Sequence, residues 1–328
     1  MSDRTKQTLK LVAKISVAAV LLAWVFSQVS FEQFRATVQA ARWHYLAGVW
    51  LATVLFSLLQ AYALRIILRK QDCDVGLHTL FATTCVTAYY SLFLPGIVST
   101  GVKWYILKRS TGKGVNVLSS MLYNQATLAV VMVVAGLVAL ALAVPPRAAA
   151  SDAGRSALLP VVCIALAVFI IVSAILVLND RTGGPAIRLF MAALGPLPRL
   201  LQEKGRALLE QIAVFQTAGW RFHAVVATIN VVDGLLVGLL LYFLAARAAF
   251  VVVPVGALVW LCAVVFVLGK IPITIANLGV REVTLVGLLG LYGVAKPAAL
   301  LMSMAMFSGL VFLGLLGAIY QLYWSAKR

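Results

Sequence analysis

Two short stretches set cations among residues that otherwise belong in a membrane interior. In KIPITIANLGVREVTL (270–285), Lys270, Arg281 and Glu282 stand beside Pro272, Asn277 and Gly279. In LPGIVSTGVKWY (94–105), Lys103 follows Pro95 and Gly101. The chemistry these residues offer is anion binding. Proline and glycine interrupt a helix, and a helix that resumes after them opens with free N–H groups and a dipole that favours an anion. Arginine adds a planar fork that matches phosphate oxygens. A charge at the bilayer centre costs about 2.5–3.5 kcal/mol on insertion scales, so these charges should face a polar cavity, not lipid. Arg281 and Glu282 are adjacent and project about 100° apart round a helix. They are therefore expected to take separate partners: Arg281 and Lys270 an anionic head group, Glu282 a cation that it orients. The competing reading is that the charges only fasten the segment to neighbouring helices, or that Lys103 snorkels to the surface.

Other polar residues fall inside apolar runs. Asp233 is accompanied by Asn230, and Asn124 by Gln125. Asp233 is the one acid inside a full predicted span, which points to pairing with Arg281 or Lys270, or to proton uptake. Gly234 and Gly238 follow it at the spacing of a close-packing face. The four cysteines, Cys73, Cys85, Cys163 and Cys262, are scattered and form neither a disulfide framework nor a metal motif. STGKG (110–114) lacks the glycine and the Ser/Thr of a nucleotide-binding loop. DCD (72–74) superficially matches the Asp-x-Asp with which glycosyltransferases hold a metal-bound nucleotide sugar, but no α/β domain surrounds it. No catalytic residue, metal or cofactor is expected.

The elements that must carry these residues follow from composition. The 328-residue chain is 63% hydrophobic and 11% charged, against about 25% charged in a soluble domain. With no alternating barrel pattern, helices alone can satisfy the backbone in lipid. The sequence predicts an all-α polytopic membrane protein with about six full spans, at 11–29, 44–68, 117–144, 157–178, 223–246 and 298–323. The basic start (Arg4, Lys6, Lys10, Lys14) and the apolar run after it read as an uncleaved first helix. Two stretches remain, 79–107 and 250–294. Each holds an apolar run, a Pro/Gly break with a cation, and a second run too short to span comfortably.

Basic residues decide how these stretches sit. If both are re-entrant hairpins, the outer side keeps only Arg35, Arg42, Arg147, Arg155, Arg247 and Lys296, and the remaining loop cations gather in the cytoplasm with both termini. A single crossing by 79–107 would put KRSTGK (108–113) outside, against the rule. The net charge of +17 then reflects topology and attraction to anionic lipid, not nucleic acid. Within the cytoplasmic loop 179–221, Leu200, Leu201, Ala207, Leu208 and Ile212 recur at helical spacing, an amphipathic surface helix. The order span, span, hairpin, span occurs twice within one transmembrane domain, dividing it into pseudo-repeats 1–150 and 151–328. Pro95 to Gly101-Val102-Lys103 parallels Pro272 to Gly279-Val280-Arg281. Because the two hairpins enter from opposite sides, the repeat is inverted, as in transporters that build a central site from discontinuous helices.

The chain resembles the lysylphosphatidylglycerol synthase transmembrane-region family, whose flippase-like domain occurs in that bacterial synthase and in stand-alone relatives. Four pieces over about residues 60–290 carry the resemblance: ALRIIL around Arg65, LFLPGIVSTGVKWYILKRSTG (92–112), SSMLYNQ (119–125) and IPITIANLGVREVTL (271–285). Where the family usually has an acid–arginine pair, this chain has Asn124 and Gln125, and Lys103 stands where arginine is common. The resemblance implies translocation of a lipid or lipid-linked head group across a bacterial inner membrane. An anionic phospholipid or a polyprenyl-phosphate-linked glycan is the expected substrate. The alternatives are a membrane-embedded transferase, an accessory subunit of a lipid-modifying enzyme, and a transporter of small soluble anions.

Overall fold

The computed structural model describes residues 31–94, 96–143, 155–179, 182–184, 199–270 and 277–326, and all regular structure among them is helical. The helices are α1 (Phe31–Ala40), α2 (His44–Lys70), α3 (Leu77–Ser91), α4 (Gly96–Thr111), α5 (Gly114–Leu142), α6 (Arg155–Leu178) and α7 (Arg199–Gln216). They continue with α8 (Trp220–Ala248), α9 (Val255–Lys270), α10 (Val280–Gly290) and α11 (Lys296–Ala326). Helices α2, α5, α8 and α11, with Leu159–Leu178 of α6, are long and apolar enough to cross a membrane. This is a multi-pass helical membrane protein. Five of the six spans expected from sequence are present, and the stretch 11–29 lies outside the described residues.

These helices turn large apolar side chains outward, as contact with lipid requires. Val161, Val162 and Phe169 on α6 and Leu315, Ile319 and Leu322 on α11 are exposed. Helices α3, α4, α9 and α10 are short, with 15, 16, 16 and 11 residues. At about 1.5 Å per residue none of the four reaches across a core of roughly 30 Å.

Two of the four apolar clusters among the described residues account for most of the core. One joins α2 to α5 through Leu64, Leu68, Leu80, Leu107 and Val117. The other gathers α8 to α11 through Leu261, Leu285, Leu289, Leu300 and Met302. Close backbone approach links them. A Cβ at Gly317 of α11 would run into the Cys85 carbonyl of α3, and one at Gly136 of α5 into Ala263 of α9. Small residues at helix crossings serve this purpose in lipid, where no hydrophobic force drives helices together. A Cβ at Gly234 of α8 would likewise meet Met132 and Leu128 of α5 at 2.7–3.0 Å, whereas one at Gly238 would make only ordinary contacts.

Hydrogen bonds show which ends share a face. Gln71, after α2, donates to the Gln211 carbonyl of α7 at 2.8 Å, and Asn116 near the start of α5 donates to both Gln71 and Gln211 at 3.1 Å. Phe215 of α7 stacks on Tyr123, centroids 4.4 Å apart. On the same face α7 leaves Glu203, Arg206 and Glu210 exposed while Phe215 is buried. The opposite face joins Arg42 N–H to the Ala248 carbonyl at 3.2 Å and the Tyr292 hydroxyl to the Ala143 carbonyl at 2.9 Å.

Candidate functional site

Three polar clusters divide the residues singled out by sequence, two of them buried and one reaching the surface at Lys270. The first holds two lysines. Lys270 closes α9 and donates to the Gln125 Oε1 of α5 at 2.5 Å, while its ammonium lies 4.6 Å over the Phe266 ring. Lys270 is about 22 Å along α9 from Val255, and Gln125 about 17 Å along α5 from Gly114. They therefore meet near the middle of a membrane of ordinary thickness. A cation in the last turn of α9 also suits the negative end of that helix. Lys103, half-buried on α4, donates to Thr84 Oγ1 of α3 at 3.2 Å. The Thr84 hydroxyl proton is already committed to the Leu80 carbonyl at 2.9 Å, so Thr84 offers the lysine a lone pair. Neither lysine has an acidic partner among the described residues.

The second cluster fixes the start of α10. Asn277 and Gly279 take left-handed backbone conformations, φ 56° and 83°, which glycine and asparagine accept most easily. This turn lets Glu282 reach back: its Oε2 accepts the Gly279 N–H at 2.7 Å. Its Oε1 accepts Arg281 Nη2 at 2.6 Å and Nε at 3.2 Å, and the Ser303 hydroxyl of α11 at 2.8 Å. Arg281 Nε also donates to Ser303 Oγ at 2.9 Å, and Phe307 lies 5.3 Å from the guanidinium. Arg281, Glu282 and Ser303 are buried. The expectation of separate partners is thus corrected. Both side chains are long enough to curl over the first helical turn, where the capping position of Glu282 brings its carboxylate to the guanidinium.

The third cluster lies between α2, α5 and α8. The buried Asp233 accepts from Gln60 Nε2, and Gln60 Oε1 accepts from Asn124 Nδ2 at 3.2 Å. Asp233 does not pair with Arg281 or Lys270, because α8 turns it toward α2. It sits in a π-helical turn, Val232–Val237, a widened turn common at functional sites. Arg65 is half-buried with its Nε unpartnered.

Some expectations for the first cation shift. Helix α4 begins at Gly96, so Gly101 and Lys103 lie within it, Lys103 about two turns in, not at a helix start. Gly101 has open space around it. The parallel with Gly279-Val280-Arg281, which does open a helix, is inexact. Pro95 and Pro272 lie outside the described residues. Sequence reading passed over Thr84, Ser303 and Gln60. Hydroxyls carry almost no signal within a span because they can bond their own helix, and Gln60 stands alone in an apolar run.

A model of the family described as lysylphosphatidylglycerol synthase TM region matches residues 11–319. The chain belongs to that family. Membership makes it a membrane protein with a lipid-related function, and it agrees with the multi-pass helical bundle. No curated protein and no solved structure matches the chain.

Two crevices open beside these clusters, lined by sequence neighbours of Lys103 and Asn124 and not by the polar clusters themselves. One, of 490 Å³, is lined by His78, Tyr90, Val102, Tyr105, Arg109 and Trp324, between α3, α4 and the end of α11. The other, of 590 Å³, is almost wholly apolar and lies between α5, α6 and α8, with Tyr123 and His223 on its wall.

Proposed function

We propose that the protein moves an anionic lipid between leaflets, with Lys103 and Lys270 holding a phosphate-bearing head group. The observation that carries this reading is that each of the two short-helix pairs supplies a lysine whose hydrogen-bond partner is neutral: Thr84 for Lys103 and Gln125 for Lys270. A cation at membrane depth without an acid is costly unless an anion joins it. The 490 Å³ crevice offers an approach: Arg109 near the end of α4 lines it, as does Val102, next to Lys103 in sequence. Acyl or isoprenoid chains stay in the bilayer against the exposed apolar helices.

In this proposal α3–α4 and α9–α10 are re-entrant hairpins that enter from opposite sides, forming the core of an inverted repeat. Their lengths and the clustering of helix ends support that arrangement. The termini and α7 lie in the cytoplasm of a bacterial cell, whose inner membrane holds the protein. Arg281, Glu282 and Ser303 lock α10 to α11, so that Lys270 is presented from a fixed frame.

Reconstituted vesicles with labelled lipids test this. Wild type should transfer an anionic phospholipid or a polyprenyl-phosphate-linked glycan and not neutral diacylglycerol. Lys103→Gln and Lys270→Gln should each cut transfer at least tenfold with little change in thermal stability. Competition by soluble phosphate alone would favour a small-anion transporter. Transfer that appears only with an added enzyme would favour an accessory subunit.

A further inference from the structure

We infer that the third cluster is a binding site for a sodium ion. Asp233 is fully buried, and its one hydrogen-bond partner among the described residues is the neutral amide of Gln60. No lysine or arginine among the described residues forms an ion pair with it. A buried carboxylate with one neutral donor is strongly disfavoured until a positive charge joins it.

The surrounding atoms say which charge. Asp233 Oδ1, Asn124 Oδ1 and both side-chain polar atoms of Asn230 are buried and unpartnered. Asn230 and Asp233 are three residues apart on α8 and so share a face. Gln60 bridges Asp233 to Asn124. One region thus has three oxygen acceptors to spare and a single negative charge. A proton would satisfy one of these oxygens, whereas a small hard cation accepts several at once, and carboxylate and carbonyl oxygens are its preferred donors. The π-helical turn at Val232–Val237 loosens the regular backbone bonding beside Asp233, and irregular backbone at membrane depth commonly supplies carbonyls to a coupling ion. A monovalent charge balances the one carboxylate.

The site also has a route to the lysines. Neighbouring residues of α5 serve the two clusters: Asn124 joins the Asp233 network and Gln125 holds Lys270. Sodium that draws on Asn124 therefore fixes the segment that positions Lys270. This coupling role rests on the lipid-transfer reading above; the binding of sodium does not.

The test uses purified full-length protein in detergent, without lipid substrate, unfolded thermally in NaCl and in equimolar KCl or choline chloride. Sodium should raise the apparent Tm saturably by about 3–6 °C at high occupancy. Asp233→Asn keeps an acceptor for Gln60 and removes the charge, and it should abolish the sodium response. Asn230→Ala, which leaves the carboxylate in place, should raise the half-saturating sodium concentration about tenfold, a shift in keeping with the loss of one charge-assisted ligand. Equal Tm in all three salts, a sodium response kept in Asp233→Asn, or unchanged half-saturation in Asn230→Ala would overturn the site. Stability that follows pH and not sodium would overturn it in favour of carboxyl protonation. Sodium binding alongside lipid transfer indifferent to a sodium gradient would leave the site and remove the coupling.

Discussion

Replacing Glu282 by glutamine changes one atom and removes one charge, yet it should be among the most damaging single substitutions in the chain. Its carboxylate accepts four bonds: one from Gly279 N–H, two from Arg281 and one from Ser303. Glutamine has only one acceptor oxygen. If that oxygen keeps Arg281 and Ser303, the amide NH₂ faces the Gly279 N–H, donor against donor, and if it keeps the cap, the guanidinium loses its counter-charge and keeps only the Ser303 hydroxyl. Arg281 is 9% exposed and Glu282 3%, so water cannot compensate. Breaking a buried pair from one side costs about 3–5 kcal/mol. At about 2–4 °C per kcal/mol in a large domain, the apparent Tm in detergent should fall by on the order of 10 °C. Arg281→Met should be harmful on the same scale. The double variant Arg281→Met/Glu282→Gln leaves no uncompensated charge and should lose much less than the sum, with a coupling of about 2 kcal/mol or more. A strictly additive double variant, or a Glu282→Gln protein as stable as wild type, would refute the view that these residues act as one buried unit.

Gly317→Ala should destabilise by about 1–3 kcal/mol because the new methyl meets the Cys85 backbone, while Gly287→Ala, with open space around it, should be neutral or gain up to about 1 kcal/mol; thermal unfolding of the two side by side checks this. Binding of an anionic lipid to the purified protein should weaken in Lys103→Ala/Lys270→Ala far more than binding of its neutral analogue, and equal losses for both lipids would count against the lysine site. Burial pushes the Cys73 thiol up from its ordinary range, with Asp72 adding to the effect and Lys113 opposing it, and Cys85, Cys163 and Cys262 are buried too. The wild-type chain should therefore resist a charged maleimide at neutral pH. A cysteine introduced at Lys113 should react from the cytoplasmic side only, and one at Lys296 from the outer side only; reaction at position 113 from outside would sink the hairpin arrangement.

The polar pair Asn124–Gln125 marks where sequence stops and tertiary structure begins. From sequence alone the spans at 44–68, 117–144, 157–178, 223–246 and 298–323 were legible, because a bilayer imposes one length and one composition on any helix that crosses it. The breaks near Gly279 and the cations beside them were legible for a similar reason: a proline, glycine or charge in lipid needs an explanation. Partner choice was not legible. Adjacent residues on α5 point about 100° apart, so Asn124 and Gln125 enter different clusters, and only the crossing of α5 with α2 and α9 decides which. Arg281 and Glu282 bond to each other because a positive-φ turn and Ser303, some twenty residues away, bring them together. Asp233 bonds to Gln60 and not to a lysine because α8 rotates that face toward α2. Charge, length and apolarity are properties of a segment and are written in its residues; the direction in which a buried polar group points belongs to the packing of helices that are remote in sequence.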